Sequence, residues 1–354
     1  MQGGDATHGG RDILIESMPF GIGTPTAVGS LPFSDADEAV AFVLEALPEL
    51  PAAPTLPRRD PREGMIAQAA WGIAGVTVRP DGTIAVDPAA LDPEAPLGDP
   101  DLAGAPFATL RTFLAAIGGR TEPVKVQVTG PATLAVALVR EGVDPAVACA
   151  VAVTAVRSRG RAVVEAVAAV APEATIVAFL DEPALVGGPP AELADPETVI
   201  DLVSGALAVW EPGGSGKVGA ITGVHVCGPS DWRAVLQAGP RILSVPVGAD
   251  LGTSAGALAT FLERDGWIAW GAVPTDRPLG ESASHWWRDL SAQWCSLVQA
   301  GCDPVRIRRQ ALVTPACGLA LHDAAQVGLV HDLTRTLGLR IHDQLAGVRL
   351  SVGA

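Results

Sequence analysis

The sequence predicts an α/β fold in the form of a single (β/α)8 TIM barrel. From Thr26 onward, short β-like runs alternate with longer amphipathic or alanine-rich helical stretches, which is typical of βα units around a parallel sheet. The 354 residues of the chain are enough for eight such units, because these barrels usually have about 250 residues and tolerate insertions. An open, doubly wound sheet is the alternative. The sequence shows no repeat with a period of roughly 20 to 50 residues, so we expect one domain.

Seven apolar runs are candidates for barrel strands. They are residues 26–30, 124–128, 175–180, 218–226, 242–247, 267–273 and 311–313. We expect the eighth strand between Gly64 and Val86, where two short runs flank the turn Pro80-Asp81-Gly82 and where a hairpin is the alternative. The proline-rich stretch from Leu47 to Pro61 predicts an irregular connection.

The barrel is expected to span residues 21–354, after a flexible leader formed by residues 1–20. The leader begins with a polar, glycine-rich segment instead of the basic and then apolar pattern of a secretory signal. Elsewhere, no apolar run reaches the roughly 18 to 20 uninterrupted residues that a bilayer span needs. We therefore expect a cytoplasmic protein.

The net charge of -15 at pH 7 bears on the kind of partner the chain can have. Binding to nucleic acid or to an anionic membrane needs a positive surface, and the sequence predicts neither. Small molecules are the expected partners. Hydrophobic residues make up 48% of the chain, which is ample for a large core.

The cysteine content does not predict a disulfide framework. The five cysteines are Cys149, Cys227, Cys295, Cys302 and Cys317. An odd number cannot pair fully within one chain, so we expect reduced thiols. Cys149, Cys295 and Cys302 lie in or beside helical stretches and are expected to be core residues.

A histidine and two cysteines end two of the predicted strands. His225-Val226-Cys227 closes one apolar run and Cys317 follows another. Imidazole and thiolate are preferred zinc ligands, and three protein ligands leave a position open for chemistry. Because the carboxyl ends of barrel strands meet at one face, the sequence predicts that His225, Cys227 and Cys317 bind Zn²⁺. The alternative is a hydrogen-bonded core histidine beside buried thiols.

Other polar residues close separate apolar runs and are expected at the same face. They are Ser30, the segment Thr129-Gly130-Pro131, and the pair Asp181 and Glu182. Asp181 and Glu182 have an alternative role as acidic residues at a helix N-terminus that begins with Pro183. Ser30 has an alternative role as a helix N-cap.

Five motifs, taken in their order, resemble the C-terminal catalytic barrel of cobalamin-independent methionine synthases. The likeness extends more broadly to zinc thiol methyltransferases and uroporphyrinogen decarboxylase. The motifs are VGSLP at 28–32, VTGPATL at 128–134, LDEPAL at 180–185, HVC at 225–227 and TPACGL at 314–319, and the resemblance spans about residues 24–335. The decarboxylase works without a metal, so the zinc-type ligands favour the thiol transferases.

The resemblance implies a zinc-dependent methyltransferase that moves a methyl group to a thiol, with homocysteine as acceptor and methionine as product. It implies that Asp181 binds the amino group of homocysteine and Ser30 its carboxylate, and it groups Glu182 with them as substrate-binding. The donor is open between a methylated folate, a corrinoid protein and another methylated metabolite. The acceptor is also open, because a related branch alkylates the thiol of coenzyme M.

Three positions depart from the family pattern. The family's fourth zinc ligand, a glutamate, is replaced by Pro246, which leaves Asp250, water or the substrate thiol for that position. A family histidine is also absent, and Asp276 is the candidate for its catalytic, proton-handling role. Glu63 is the candidate for the acidic residue that helps hold the substrate amine. These losses leave a further alternative, a zinc-binding homologue without turnover that serves binding or regulation.

Overall fold

The computed structural model describes residues 20–193, 195–211, 218–277, 279–280 and 282–352, with only the backbone for 346–352. The predicted leader therefore lies outside the described residues, apart from Phe20. The Phe20 ring packs edge-on against Trp267, with ring centroids 5.4 Å apart.

Two short strands, β1 (Val76–Val78) and β2 (Ile84–Val86), pair antiparallel as a separate two-stranded sheet. The expectation of an eighth barrel strand between Gly64 and Val86 is wrong, and the hairpin alternative is correct. Gly82 adopts φ +81°, which suits the tight turn between the strands.

Six parallel strands form the main sheet in chain order. They are β3 (Val124–Thr129), β4 (Ile176–Asp181), β5 (Ile221–His225), β6 (Ile242–Pro246), β7 (Trp267–Val273) and β8 (Ala311–Pro315). Each matches one of the predicted apolar runs to within a few residues. The α/β class and the parallel sheet are thus confirmed, whereas the eight regular strands predicted for a complete barrel are not.

Two extended segments, residues 23–31 and 51–56, contact the outer edges of this curled sheet. Isolated bridges join Pro25 to Val313 of β8, Ser30 to Thr55, and Ala52 to Lys125 of β3. The predicted strand at 26–30 is therefore present only as bridged, extended backbone.

The second segment lies in the stretch that was predicted to be an irregular connection. Pro51 and Pro54 have no backbone N–H, so the segment cannot form a continuous ladder with β3. Its remaining donors still pair where they can, since Ala53 donates from its backbone N–H to the Lys125 carbonyl at 2.9 Å.

Helices connect the strands and cover the outside of the sheet. They are α1 (Ala36–Ala46), α2 (Met65–Ala70), α3 (Ala108–Ala116), α4 (Pro131–Arg140), α5 (Pro145–Val170), α6 (Pro196–Leu207), α7 (Trp232–Gln237), α8 (Ala255–Glu263), α9 (Ala283–Gln299), α10 (Arg306–Arg309) and α11 (Ala324–Val352). Aspartate side chains accept backbone N–H bonds at the start of α1, α5, α6 and α7, which fixes where these helices begin. Across the described part of the chain, no helix combines the length and apolar character needed to cross a membrane.

The two faces of the sheet have different environments. Alternate residues of β4, such as Ala178 and Leu180, belong to the large core beneath the helices. Val177 and Phe179 point the other way, into a small apolar cluster enclosed by the curled sheet. The next residue on that inner face is Asp181, so the enclosed space changes from apolar to polar toward the carboxyl ends of the strands.

Candidate functional site

A cavity of about 230 Å³ lies at the carboxyl ends of β3, β4 and β5, beside the loop that follows β8. The predicted site residues Ser30, Asp181, His225, Cys227 and Cys317 all line it. These residues come from four separate parts of the chain. The structure therefore brings together the residues that the sequence placed at strand ends, as a parallel sheet requires.

His225 is the last residue of β5 and is buried. Its Nδ1 lies 2.9 Å from the hydroxyl of Ser244, its register partner on β6. Its Nε2 is buried without a hydrogen-bond partner in the described structure. In the tautomer with the proton on Nδ1, the ring donates to Ser244 and leaves the Nε2 lone pair free, which is the form that binds a metal.

Cys227 and Cys317 are both half-buried and reduced. Their thiols interact with each other, and Cys317 also interacts with His225. The interaction with Cys317 lowers the pKa of Cys227 to about 7, against the effect of burial. The same interaction, together with burial, raises the pKa of Cys317. One thiol of the pair is thus readily available as thiolate, the form that acts as a metal ligand.

The three side chains fit zinc by their chemistry, although they are not arranged as a preformed site. Within the described ranges, no group of three or more His, Cys, Asp or Glu residues has the arrangement of a metal site. The unpartnered nitrogen of His225 and the two adjacent thiols nevertheless form the nitrogen and sulfur donor set that zinc prefers. His225, Cys227 and Cys317 are therefore the residues that would hold the ion.

Neither Pro246 nor Asp250 brings a fourth ligand to this cavity. Pro246 ends β6 and has no donor side chain, and its backbone packs closely against Gly271. Asp250 is exposed and accepts the Gly252 N–H at 3.0 Å. It lines a different cavity, beside β7 and α9.

Asp181 is the last residue of β4 and lies between Thr129 and His225 in the strand register. Its carboxylate is buried, and its Oδ1 has no hydrogen-bond partner in the described structure. Burial raises its pKa, and the nearby Lys125 opposes this shift. A buried acceptor without a partner is rare in folded proteins, so this oxygen is suited to receive a donor group from a ligand.

Glu182 points away from the cavity and binds the start of α4. It is fully buried and accepts the Ala132 N–H at 2.9 Å, the Thr133 N–H at 2.8 Å and the Thr133 hydroxyl at 2.6 Å. A Cβ at Gly130 would collide with its carboxyl group, which explains the glycine in that motif. Burial raises the pKa of Glu182 to about 7. Its position does not support the predicted role in substrate binding.

Ser30 lies on the first extended segment and is held by the loop after β8. Its carbonyl accepts the Leu319 N–H at 2.8 Å, and a Cβ at Gly318 would collide with its hydroxyl. The close approach accounts for the glycine after Cys317. Ser30 is not a helix N-cap, because α1 begins after Asp35.

Glu63 lines the cavity but is bonded within the protein. Its carboxylate accepts the Leu56 N–H, an Arg59 guanidinium hydrogen and the Thr109 hydroxyl, each at 2.8 Å. These bonds fix the loop before α2. Glu63 is therefore not free to hold a substrate amine in the manner expected from the sequence.

Asp276 is separated from the cavity. Its carboxylate is exposed and pairs with Arg277 at 2.8 Å, which lowers its pKa. It is not among the residues that line the cavity. The structure thus does not place Asp276 where it could handle a proton at the substrate.

Three residues next to the site were missed by sequence reasoning: Lys125, Gln127 and Ser244. Each lies inside an apolar strand run. Their signal was a polar residue at an alternate position of a buried strand, because Lys125 and Gln127 precede Thr129 by four and two residues and so share its face.

The fold and the cavity define an α/β protein with a mostly apolar cavity at the carboxyl ends of a parallel sheet, which a few ionisable side chains also line. No family model matches the chain, and no curated protein matches it in sequence. Among solved structures, the chain is similar to a B12-independent methionine synthase from Shewanella sp. W3-18-1 in complex with selenomethionine, with a TM-score of 0.60 and 12% identity. The match covers 92% of this chain and 99% of that one. The expected resemblance is confirmed for the fold.

Proposed function

We propose that the chain is a zinc-dependent methyltransferase that moves a methyl group to the thiol of an amino acid, with homocysteine as acceptor. The observation that carries this proposal is the convergence of His225, Cys227, Cys317 and Asp181 on one cavity. The set combines thiol and imidazole donors with an unpartnered carboxylate oxygen. The fold shared with a methionine synthase supports the assignment.

The size of the cavity supports an amino acid as the ligand. Its volume of about 230 Å³ is below the roughly 300–1,000 Å³ typical of pockets for drug-sized ligands. The solved relative was crystallised with selenomethionine, the selenium analogue of methionine. Homocysteine, which becomes methionine on methylation, is similar to selenomethionine in size and carries the same amino and carboxylate groups.

Different residues of the chain would bind different groups of the ligand. Asp181 receives the ammonium group through its free Oδ1, and Ser30 binds the carboxylate. Ser244 bonds Nδ1 of the His225 ring and so leaves Nε2 for the ion. The apolar cluster below closes the inner end of the cavity and excludes water from that side.

Zinc, when bound, would supply the positive charge that keeps the acceptor sulfur as thiolate. The acceptor sulfur attacks the methyl carbon in line with the bond to the donor. The new sulfur–carbon bond forms as the donor–carbon bond breaks, and the donor leaves with the electron pair. The cavity contributes orientation, because holding both groups in line removes an entropic cost.

Methyl transfer to L-homocysteine tests the proposal directly. The purified, zinc-loaded chain is incubated with a methylated folate, methylcobalamin or a methyl sulfonium donor, and methionine is measured. Asp181→Asn should raise the KM for homocysteine about tenfold or more, since the ammonium loses a buried charged partner. Asp250→Asn is the matched control, because that carboxylate is exposed and lies in another cavity.

The alternatives are outcomes of the same assay. Transfer to coenzyme M without transfer to homocysteine would replace the acceptor. If zinc and thiols bind but no donor supports alkylation of any thiol, a binding or regulatory role replaces catalysis. A corrinoid protein as donor would be indicated if methylcobalamin alone supports turnover.

A further inference from the structure

Lys125 is a buried cation inside the curled sheet, one layer below the cavity. It lies on β3, is 3% exposed, and pairs in register with Val177. Thr129, four residues further along the same face, is the register partner of Asp181. Lys125 and Asp181 therefore face the same enclosed space from neighbouring strands.

The contacts of Lys125 connect it to the segment that carries Ser30. Its ammonium group donates to the Val28 carbonyl at 2.9 Å and to Gln127 Oε1 at 3.2 Å. It also lies 4.7 Å from the centroid of the Phe179 ring, a favourable position for a cation. None of these bonds is with a carboxylate, so the charge of Lys125 remains available to Asp181.

Gln127 extends the same network to the second segment. Its amide nitrogen donates to the Ala53 carbonyl at 2.6 Å, and its side chain lines the cavity. Gly29 has φ +140°, and a Cβ there would collide with the Gln127 amide. Lys125 bonds the first extended segment and Gln127 bonds the second. The two side chains therefore hold both segments against β3.

Lysine is rare in this chain, which makes a lysine at this position notable. Of its 24 basic residues only two, Lys125 and Lys217, are lysines. The rest are arginines, so arginine is the usual basic residue of this chain. A compact ammonium group fits between the Phe179 ring and the Val28 carbonyl, whereas a planar guanidinium is larger and needs a wider set of acceptors.

We propose that Lys125 is a positioning residue for the amino-acid ligand. Its ammonium group provides the buried positive charge that balances the Asp181 carboxylate, and its bond to Val28 holds the backbone that presents Ser30. The inference rests on the proposed function, since it assumes a ligand whose amino group meets Asp181. Burial lowers the pKa of Lys125 and attraction to Asp181 opposes that shift, as expected for two opposite charges enclosed together.

Calorimetric binding of L-methionine to the full chain tests the inference. Lys125→Met keeps the length of the side chain and removes its charge. We expect it to weaken L-methionine binding about tenfold and to raise the KM for homocysteine by a similar factor, with kcat much less affected. Lys125→Arg should not restore the affinity.

A ligand without the amino group separates positioning from general damage. For 4-(methylthio)butanoate, Lys125→Met should cost clearly less affinity than for L-methionine: the bond to Val28 that holds Ser30 is lost for both ligands, but Asp181 has no ammonium to receive from this one. Arg159→Met is the matched control, since Arg159 is another buried cation over an aromatic ring, Phe107, with bonds to the Asp99 and Trp71 carbonyls. It should lower stability without a selective loss of L-methionine binding.

The outcomes distinguish the two proposals. If the unmodified chain binds neither L-methionine nor L-homocysteine, the proposed function is wrong and this inference is overturned with it. If the unmodified chain binds L-methionine and Lys125→Met binds it equally well, only the role of Lys125 is wrong. Equal losses for L-methionine and for the ligand without an amino group would also overturn that role.

Discussion

Asp181 and His225 are register partners at the carboxyl ends of β4 and β5, and each has a buried polar atom without a hydrogen-bond partner in the described structure. Asp181 and His225 both line the same cavity. Leaving such a group unsatisfied costs about 1–3 kcal/mol. Two such atoms on neighbouring strands are expected where a protein binds an ion or a polar ligand.

Zinc binding should depend on Cys317. The purified chain is expected to contain about one zinc ion, and Cys317→Ser should lose it, because a neutral hydroxyl replaces a thiolate ligand. Cys295→Ser is the control, since that cysteine, expected in the core from the sequence, is in fact exposed on α9. Metal analysis after dialysis measures both. Full zinc content in the Cys317 variant would remove the assignment.

Ser244 should tune the affinity of His225 for the ion. Ser244→Ala removes the hydroxyl that lies 2.9 Å from Nδ1, and loss of such a partner typically weakens metal binding 10- to 100-fold. Ser230→Ala removes a hydroxyl that bonds only a backbone carbonyl, that of Leu185, and serves as control. Competition with a chromogenic chelator gives the affinities. Equal zinc affinity in the two variants would contradict this role.

Gly318→Ala should be costly, because the new Cβ would meet the Ser30 hydroxyl. We expect a loss of about 1–3 kcal/mol in the free energy of unfolding, as for other overpacked sites. Gly256→Ala, on α8 with open space around it, should instead stabilise by up to about 1 kcal/mol. Urea unfolding of both variants measures the contrast, and two stabilised variants would show that the loop after Cys317 adapts.

Glu182 should make stability fall as pH rises. Burial raises its folded pKa to about 7 from its ordinary value of 4.5, so the folded state binds one more proton than the unfolded state between these pH values. The stabilising contribution of the Glu182 proton is then fully present below about pH 4.5 and is lost as pH rises to about 7.

Urea unfolding at pH 5 and pH 8 tests this effect. The difference in unfolding free energy between the unmodified chain and Glu182→Gln should change in favour of the variant by on the order of 1–3 kcal/mol between these pH values. Glu192→Gln should show no such change, because the hydrogen bonds of Glu192 lower its pKa, so it stays ionised across this range. A flat difference for Glu182 would mean that its hydrogen bonds, not its burial, set its charge state.

Asp276→Asn should leave methyl transfer within about threefold of the unmodified chain, since exposed ion pairs such as that with Arg277 contribute little. Initial rates at saturating homocysteine provide the comparison. A loss of a hundredfold would instead show that the loop carrying Asp276 moves to the cavity during turnover.

The sequence was most informative where strands are buried on both faces. Strands β4 and β7 are almost entirely apolar, as expected for a covered parallel sheet, and all six strands β3 to β8 were located to within a few residues. The segment at 51–56 was missed because its prolines remove ladder donors and break the apolar pattern. Sheet closure depends on tertiary contacts that a local pattern does not contain.

The site was predictable in part for the same reason. Residues after strand ends converge in a parallel sheet, which places Asp181, His225 and Cys317 together. Glu182 was grouped with Asp181 because the two are adjacent, yet successive residues of an extended chain face opposite sides. Lys125 was missed because the sequence alone does not show which strand lies beside it. Its position near Asp181 depends on the register of β3 and β4.

The isolated bridges of the segments at 23–31 and 51–56 have a consequence for ligand access. Backbone without a continuous ladder opens locally at a lower free energy than the strands beside it. Amide hydrogens of these segments should therefore exchange with deuterated solvent before those of β4 to β7. Ser30 and Thr55 lie on these segments, so we expect local opening there to give a ligand its route to Asp181 and His225 while the central strands stay paired.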